Sequence, residues 1–358
     1  MNNKYRNIIL ALFLIAIAGS IVYLQSRKSF RFSGNNTEST GVAISKEAKA
    51  KKYKPAQEIS TPDGFVNTDS ISIGELIGKK VILVDFWTYS CINCQRTTPY
   101  LNAWYEKYHD QGLEIIGLHT PEFEFEKDYN NVKAAVEKFG IKFPVVLDND
   151  YSTWAAYRNQ YWPRKYLIDI DGYIVYDHIG EGAYDETEAK IQEALREREA
   201  ILGMQDEIKG GIVTPDNVMT TDARSPQSPE IYFGSDRNNY LGSGIKNISG
   251  TQKMSTPDKP KTNVLYLGGT WSFSEEFAEN KSNNASIKFR YQGKNVYFVA
   301  GSETGSKIKI YKDGNLVGEQ EVRDHTLYHL IEDTAYGEHT LEIIIESPGL
   351  RAYTFTFG

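Results

Sequence analysis

The sequence predicts an α/β layered domain followed by an all-β jelly-roll sandwich, carried behind an N-terminal membrane-anchor helix. Three observations predict it. Apolar strand runs alternate with amphipathic helical patterns across residues 56–203. From residue 230 to 358 only short strand patterns occur, cut by Gly, Asn and Asp turns. An apolar run at residues 8–24 opens the chain, and no acid occurs in the first 31 residues.

Lys4 and Arg6 precede that apolar run, and Arg27, Lys28 and Arg31 follow it. Its length is near the lower limit for crossing a bilayer, about 17 residues. Ala16-Ile17-Ala18 has the small-residue character of a cleavage site, but apolar residues resume at 21–24, where a cut signal turns polar. The expectation is therefore an uncleaved anchor over residues 1–28. Basic residues on both flanks do not fix its orientation. Residues 29–55 are polar, and their first part is rich in Ser, Asn, Thr and Gly, which reads as a flexible tether.

The α/β domain is expected over 56–203. "VILVDFW" (81–87) and "LEIIGLHT" (113–120) are the short, β-branched runs of strands buried on both faces. Between them Leu101, Trp104, Tyr105 and Tyr108 recur at helical spacing, with Pro99 expected to kink that helix. "NVKAAVEKFG" is an amphipathic helix closed by Gly140. "KYLIDIDGYIVYDHIG" alternates around Asp171-Gly172, a hairpin signal, and "DETEAKIQEALREREAIL" is a charged helix. Residues 204–229, polar and holding three prolines, read as a linker. Beyond it, "NVLYLGGTWSF", "KNVYFVAG", "KIKIYKDGNLVGEQEVR" and "HTLEIIIES" are strands, with a further hairpin turn at Asp313-Gly314.

Composition narrows the function classes. Hydrophobic residues at 40% and charged residues at 24% are globular values, which excludes a disordered chain or a multi-span membrane protein. The net charge of −7 becomes −12 once the five basic residues of the first 31 are set aside, so the body lacks the basic stripe that nucleic acid requires. Two cysteines exclude a disulfide scaffold and a four-cysteine zinc site. A mixed site would need two of six scattered histidines, and the His325/His329 pair lies more than 200 residues from Cys94. No metal and no dissociable cofactor is expected; the redox group is the Cys91–Cys94 pair itself.

That pair stands in "DFWTYSCINCQRTTPYL". Two nearby core residues or half of a metal site would account for it, but its position favours disulfide exchange. Exchange needs an exposed thiolate nucleophile and a second thiol that releases the mixed disulfide. A Cys at a helix mouth sits by unpaired N–H groups and the positive dipole end, which favour a thiolate. The second Cys, a turn inside, is more shielded. Here a buried strand, a three-residue turn and Cys91 at the start of a helix supply that layout.

The segment resembles the active site of the thioredoxin superfamily. The resemblance assigns Asp85, six residues before Cys91, as a buried carboxylate that takes the proton of the resolving Cys94. It matches Pro99 to the kink proline, and Trp162-Pro163 to a cis-proline loop lying against the disulfide. Trp162, Trp87 and Tyr89 are expected to shape a substrate surface, and Glu122 and Glu124 are candidate pocket carboxylates. Longer stretches, "HTPEFEFEKDYNNVKAAVEKFGIKFPVVLDNDY" and "YWPRKYLIDIDGYIVYDHIGEGAY" among them, resemble the C-terminal region of DipZ-type membrane thiol-disulfide proteins. In that family a thioredoxin-like domain precedes a sandwich similar to carbohydrate-binding modules. Full DipZ proteins carry a multi-span electron carrier in front, where this chain has one candidate span.

The resemblance implies a membrane-anchored, extracytoplasmic enzyme that reduces protein disulfides and is itself re-reduced by a separate membrane thiol carrier. It also implies a candidate glycan ligand for the β domain, for which Trp271, Tyr240, Tyr266 and Tyr297 are the ring-stacking candidates. Two alternatives stand beside it. Thr88, three residues before Cys91, suits a thiol peroxidase of the peroxiredoxin type, although Val84 replaces the proline expected there. The chain is alternatively a glycan- or envelope-protein-binding module with a secondary redox site. Ile92-Asn93 does not set the direction of electron flow.

Overall fold

The computed structural model describes residues 45–205, 207–216, 218–219 and 227–358. The anchor expected at 1–28, with its membrane run 8–24, lies outside them, as does the tether up to 44. Among the described residues no helix is long and apolar enough to cross a membrane.

The first domain begins with α1 (Lys46–Lys52), β1 (Lys54–Pro55), β2 (Gly64–Val66), α2 (Ile73–Leu76), β3 (Val81–Trp87) and α3 (Ile92–Tyr108). It continues through β4 (Leu113–His119), α4 (Tyr129–Lys138), β5 (Val145–Leu147), α5 (Ser152–Ala156), β6 (Arg164–Ile168), β7 (Tyr173–Ile179) and α6 (Tyr184–Leu202). These strands form one sheet in the order β1-β7-β6-β3-β4-β5-β2. β3 pairs parallel with β4 and antiparallel with β6, so it is central, and all seven of its residues are buried. A strand covered on both faces has no polar side, hence the unbroken apolar run. Pro99 lies inside α3, and Gly172 takes a positive φ of 88° in the β6–β7 turn.

Residues 46–52 correct the tether. They form a helix fixed by charge: Lys49 is 2% exposed and reaches Asp169 and Asp171 at 2.7 Å and Glu197 at 2.9 Å. Burial opposes its charge, yet the three carboxylates hold its pKa above the ordinary lysine value. "KEAKAKK" has no apolar stripe, so helical periodicity could not reveal the docking. Lys49→Ala should destabilise the protein by about 3–5 kcal/mol, because it strands buried carboxylates; denaturant titration at neutral pH reads this.

The second domain holds β8 (Ile231–Tyr232), β9 (Gly250–Met254), β10 (Leu265–Phe273), β11 (Ala278–Asn280) and β12 (Ala285–Gly301), followed by β13 (Ser306–Lys312), β14 (Asn315–Val322), β15 (Thr326–Ile345) and β16 (Arg351–Phe357). Instead of the two separate sheets of a jelly roll, these strands make one connected, barrel-like sheet. β12 pairs with β10 along its first half and with β16 along its second; β10 pairs with β11, and β11 with β16, which closes a ring. The 17-residue β12 and 20-residue β15 run together across a bulge between Gly293 and Asn295. A bulge bends both strands, so one long pair serves two faces. In sequence each long strand reads as two short ones, which produced the sandwich expectation. The core includes Trp271, Phe289, Tyr291, Phe298 and Phe355. Trp271 and Tyr297 are therefore buried and unavailable for stacking on sugars, whereas Tyr240 is exposed and Tyr266 half-buried.

The loop from Thr120 to Asp128 joins the domains. Phe123 and Phe125 pack into an aromatic cluster with Tyr353, Tyr232 and Phe277 of the barrel, the Phe123 and Phe125 rings lying 5.1 and 4.8 Å from that of Tyr353. Burying Phe123 fully and Phe125 in part contributes on the order of a few kcal/mol, so the second domain is held against the face that carries the cysteines.

Candidate active site

β3 ends at Trp87, and a turn through Thr88–Ser90 delivers Cys91 to the N-cap of α3 in extended conformation. Cys91 is half-buried, Cys94 is buried, and both are free thiols. Burial pushes the Cys94 thiol well above the ordinary cysteine value; its hydrogen bond with Cys91 and the nearby Asp85 charge act in the same direction, against a backbone bond from Thr88. The two sulfurs are thus unequal. One is open at a helix mouth, and the other needs a base before it can react.

Asp85 is 1% exposed on β3, and its Oδ1 has no hydrogen-bond partner among the described residues. Burial pushes its pKa up to about 7, with Lys165 pulling the other way. Lys165 is its register partner on β6 and is itself fully buried, its Nζ donating to the Gly180 carbonyl at 3.3 Å. Burial lowers the lysine's pKa, while Asp85 and Cys94 work to raise it. The Asp85 charge in turn raises the pKa of the buried Cys94 thiol, so the two groups are electrostatically coupled.

Sequence reasoning missed a second buried acid, Glu126. It accepts from the Ser90 hydroxyl at 2.6 Å and from the N–H groups of Glu122 and Phe123 at 2.6 and 3.0 Å. Burial raises its pKa to about 7, against the hydroxyls of Ser90 and Thr88. Glu126 therefore ties the turn before Cys91 to the interdomain loop. Its signal was present in "PEFEFEK", where three acids look alike and only burial separates them. His119 was missed too. Burial lowers its pKa to about 3, so it stays neutral, 3.4 Å from the Thr88 hydroxyl and stacked on Tyr89.

A cavity of about 500 Å³ opens beside Cys91 between the two domains. The first domain contributes Cys91, Arg96, Glu122 and Trp162, and the second contributes Tyr232, Arg237 and Phe357. Glu122 Oε1 accepts from Arg237 at 2.7 Å and from the Tyr232 hydroxyl at 2.9 Å. The Arg237 guanidinium lies 3.8 Å from the centre of the Tyr232 ring.

The other expected site residues divide. The Trp162–Pro163 peptide is cis, Trp162 lines the cavity, and its indole donates to the Thr120 carbonyl at 2.9 Å. The Pro163 carbonyl accepts from Gly180 at 2.8 Å, so that group is already engaged. Trp87 and Tyr89 do not line the cavity beside Cys91: both are buried, and the Tyr89 hydroxyl donates across the domain boundary to the His325 carbonyl. Aromatics next to the cysteines satisfied the core and the seam first. Glu124 does not line the cavity; it pairs with Lys127 at 2.6 Å in an exposed position, and its N–H donates to Glu276.

Known proteins place this geometry in context. The Redoxin family model matches residues 51–195, and a family described as a thioredoxin-like C-terminal domain matches 228–358. Protein DipZ of Mycobacterium tuberculosis is 36% identical over 318 residues, covering 87% of this chain and 44% of DipZ, so the chain spans less than half the length of that relative. Thiol-disulfide oxidoreductase ResA of Bacillus thuringiensis is 36% identical over 132 residues, covering 36% of this chain and 73% of ResA. Thiol-disulfide oxidoreductase YkuV of Bacillus subtilis is 28% identical over 149 residues, covering 42% of this chain and 99% of YkuV.

Proposed function

Because the chain belongs to the thioredoxin-like thiol-disulfide oxidoreductases, we propose that it reduces disulfides of envelope or secreted proteins from the extracytoplasmic face of a membrane, anchored through residues 8–24. The observation that carries the reading is the inequality of its two free thiols, one half-exposed at the mouth of α3 and one buried near Asp85. In the reaction, the Cys91 thiolate attacks one sulfur of the substrate. The substrate S–S bond breaks, a thiolate departs, and a mixed disulfide forms. Cys94 then gives its proton to Asp85 and attacks the Cys91 sulfur, releasing the second substrate thiolate. Two electrons pass from the dithiol to the substrate, leaving Cys91–Cys94 oxidised. A separate membrane dithiol carrier restores the pair.

The midpoint potential of the Cys91–Cys94 couple tests the direction. A value of about −220 mV or lower supports a reductant, and a value near about −120 mV makes the protein an oxidant instead. Hydrogen peroxide consumption by the reduced protein far faster than by a free thiol would turn the assignment to a peroxidase.

A further inference from the structure

The reaction above leaves one buried acid of the site without a part. Glu126 is fully buried on the interdomain loop. Lys127 beside it pairs with Glu124, and Arg237 of the barrel pairs with Glu122. A buried carboxyl without a counter-charge is tolerated only where hydrogen bonds satisfy it, so its donors show what it holds. Oε1 accepts from the Ser90 hydroxyl at 2.6 Å and from the Ser90 N–H at 3.3 Å. Oε2 accepts from the N–H groups of Glu122 and Phe123 at 2.6 and 3.0 Å. One carboxyl group thus bridges two segments, with one oxygen for each.

Both segments bear on the nucleophile. Ser90 directly precedes Cys91, which is the N-cap of α3 and makes no side-chain cap bond. A serine at a helix entrance ordinarily caps the helix; here its hydroxyl is turned to Glu126, so the mouth of α3 is held from outside. On the other side, Glu122 and Phe123 are the residues whose side chains meet the barrel. Glu122 accepts from Arg237 and Tyr232, and the Phe123 ring lies 5.1 Å from that of Tyr353. We infer that Glu126 is a positioning residue for Cys91, and that through it the seating of the barrel sets the reactivity of the nucleophile. This rests on the thiol-disulfide reading and gives the second domain a part in the reaction. Hydrogen bonds to a hydroxyl and to backbone N–H groups fix the two segments relative to one another. A shift of the loop with the barrel therefore moves Ser90 and the entrance of α3, and a displacement of about 1 Å changes a rate by about 10²-fold.

The test isolates the attack step in the full chain carrying Cys94→Ser. There the Cys91 sulfur bonds to one sulfur of a peptide disulfide, the substrate S–S bond breaks and a thiolate leaves; mass spectrometry follows the adduct. Adding Glu126→Ala should lower the second-order rate constant about 10²-fold. Glu126→Gln should restore most of the rate, because its amide oxygen accepts from Glu122 and Phe123 while its NH₂ donates to the Ser90 hydroxyl. Ser90→Ala cuts the bridge at its other end, so it should slow attack alone but slow it no further in the Glu126→Ala chain. Phe123→Leu loosens the seam at a residue that does not line the cavity. It should slow attack when Glu126 is present and change nothing in the Glu126→Ala chain. If Glu126→Ala does not fold, Ser90→Ala takes its place in the cycle with Phe123→Leu. Unchanged attack in Glu126→Ala, an equal loss in Glu126→Gln, or multiplying effects of Glu126→Ala and Ser90→Ala overturn the positioning role. Multiplying effects of Phe123→Leu and the cut bridge overturn the link to the barrel. An absence of adduct on the Cys94→Ser protein itself overturns the thiol-disulfide reading instead.

Discussion

Replacing Cys91 with alanine is expected to cut disulfide reduction by on the order of 10³-fold or more, to the level of uncatalysed exchange. The loss should be this large because Cys94 cannot take over. Its sulfur is buried, and burial with the hydrogen bond from Cys91 holds its thiol protonated far above neutral pH. Cys94→Ser should give the complementary result. Attack by Cys91 proceeds, resolution does not, and a covalent adduct between Cys91 and the substrate accumulates. Mass spectrometry of the protein incubated with a peptide disulfide measures both outcomes. An adduct on Cys91→Ala protein, or none on Cys94→Ser protein, would reverse the roles of the two thiols.

What the sequence disclosed depended on which force held each element. β3 was legible because a strand buried on both faces must be apolar along its length, and "VILVDFW" satisfies that locally. The β6–β7 and β13–β14 hairpins were legible because their turns need residues at positive φ, supplied by Gly172 and by Asp313-Gly314. The helix around Lys49 was hidden, since its anchor is three carboxylates more than 100 residues away. The closed barrel was hidden because the bend at Gly293 looks like a turn until both sides of it pair with the same strand. Within the site, residues whose chemistry is intrinsic stood out: Cys91, Cys94 and Asp85. Those whose role depends on what burial removes, Lys165 and Glu126, look in sequence like ordinary surface charges. Trp87 and Tyr89 lie off the cavity beside Cys91 for the converse reason. Their proximity in sequence to the cysteines says nothing about which side of the sheet or seam they fill.

Asp85→Asn carries the second large effect, and it acts in opposite directions on rate and stability. Burial raises the Asp85 pKa from the ordinary 3.8 to about 7, so the carboxylate proposed to accept the Cys94 proton forms only as pH approaches neutrality. Release of product from the mixed disulfide should therefore accelerate about tenfold per pH unit below 7 and level off above it. The asparagine variant should lack that limb and resolve about 10²-fold more slowly at pH 8, with the initial attack by Cys91 little changed. Stability runs the other way. The folded state holds the proton over the window from pH 3.8 to about 7 while the unfolded chain has released it, so folding stability falls as pH rises through that window. At pH 8 the buried charge costs on the order of 4 kcal/mol relative to a neutral side chain. Asparagine is neutral throughout, so the variant should be more stable than the wild type by a few kcal/mol at pH 8 and equal to it below pH 3.8. Denaturant titrations at both pH values, paired with quenched-flow resolution rates, read the two effects separately. If the stabilities differ by less than about 0.5 kcal/mol at pH 8, as for a surface substitution, Asp85 is not the buried proton acceptor. A slower resolution without the gain in stability would indicate damage to the site rather than loss of its base.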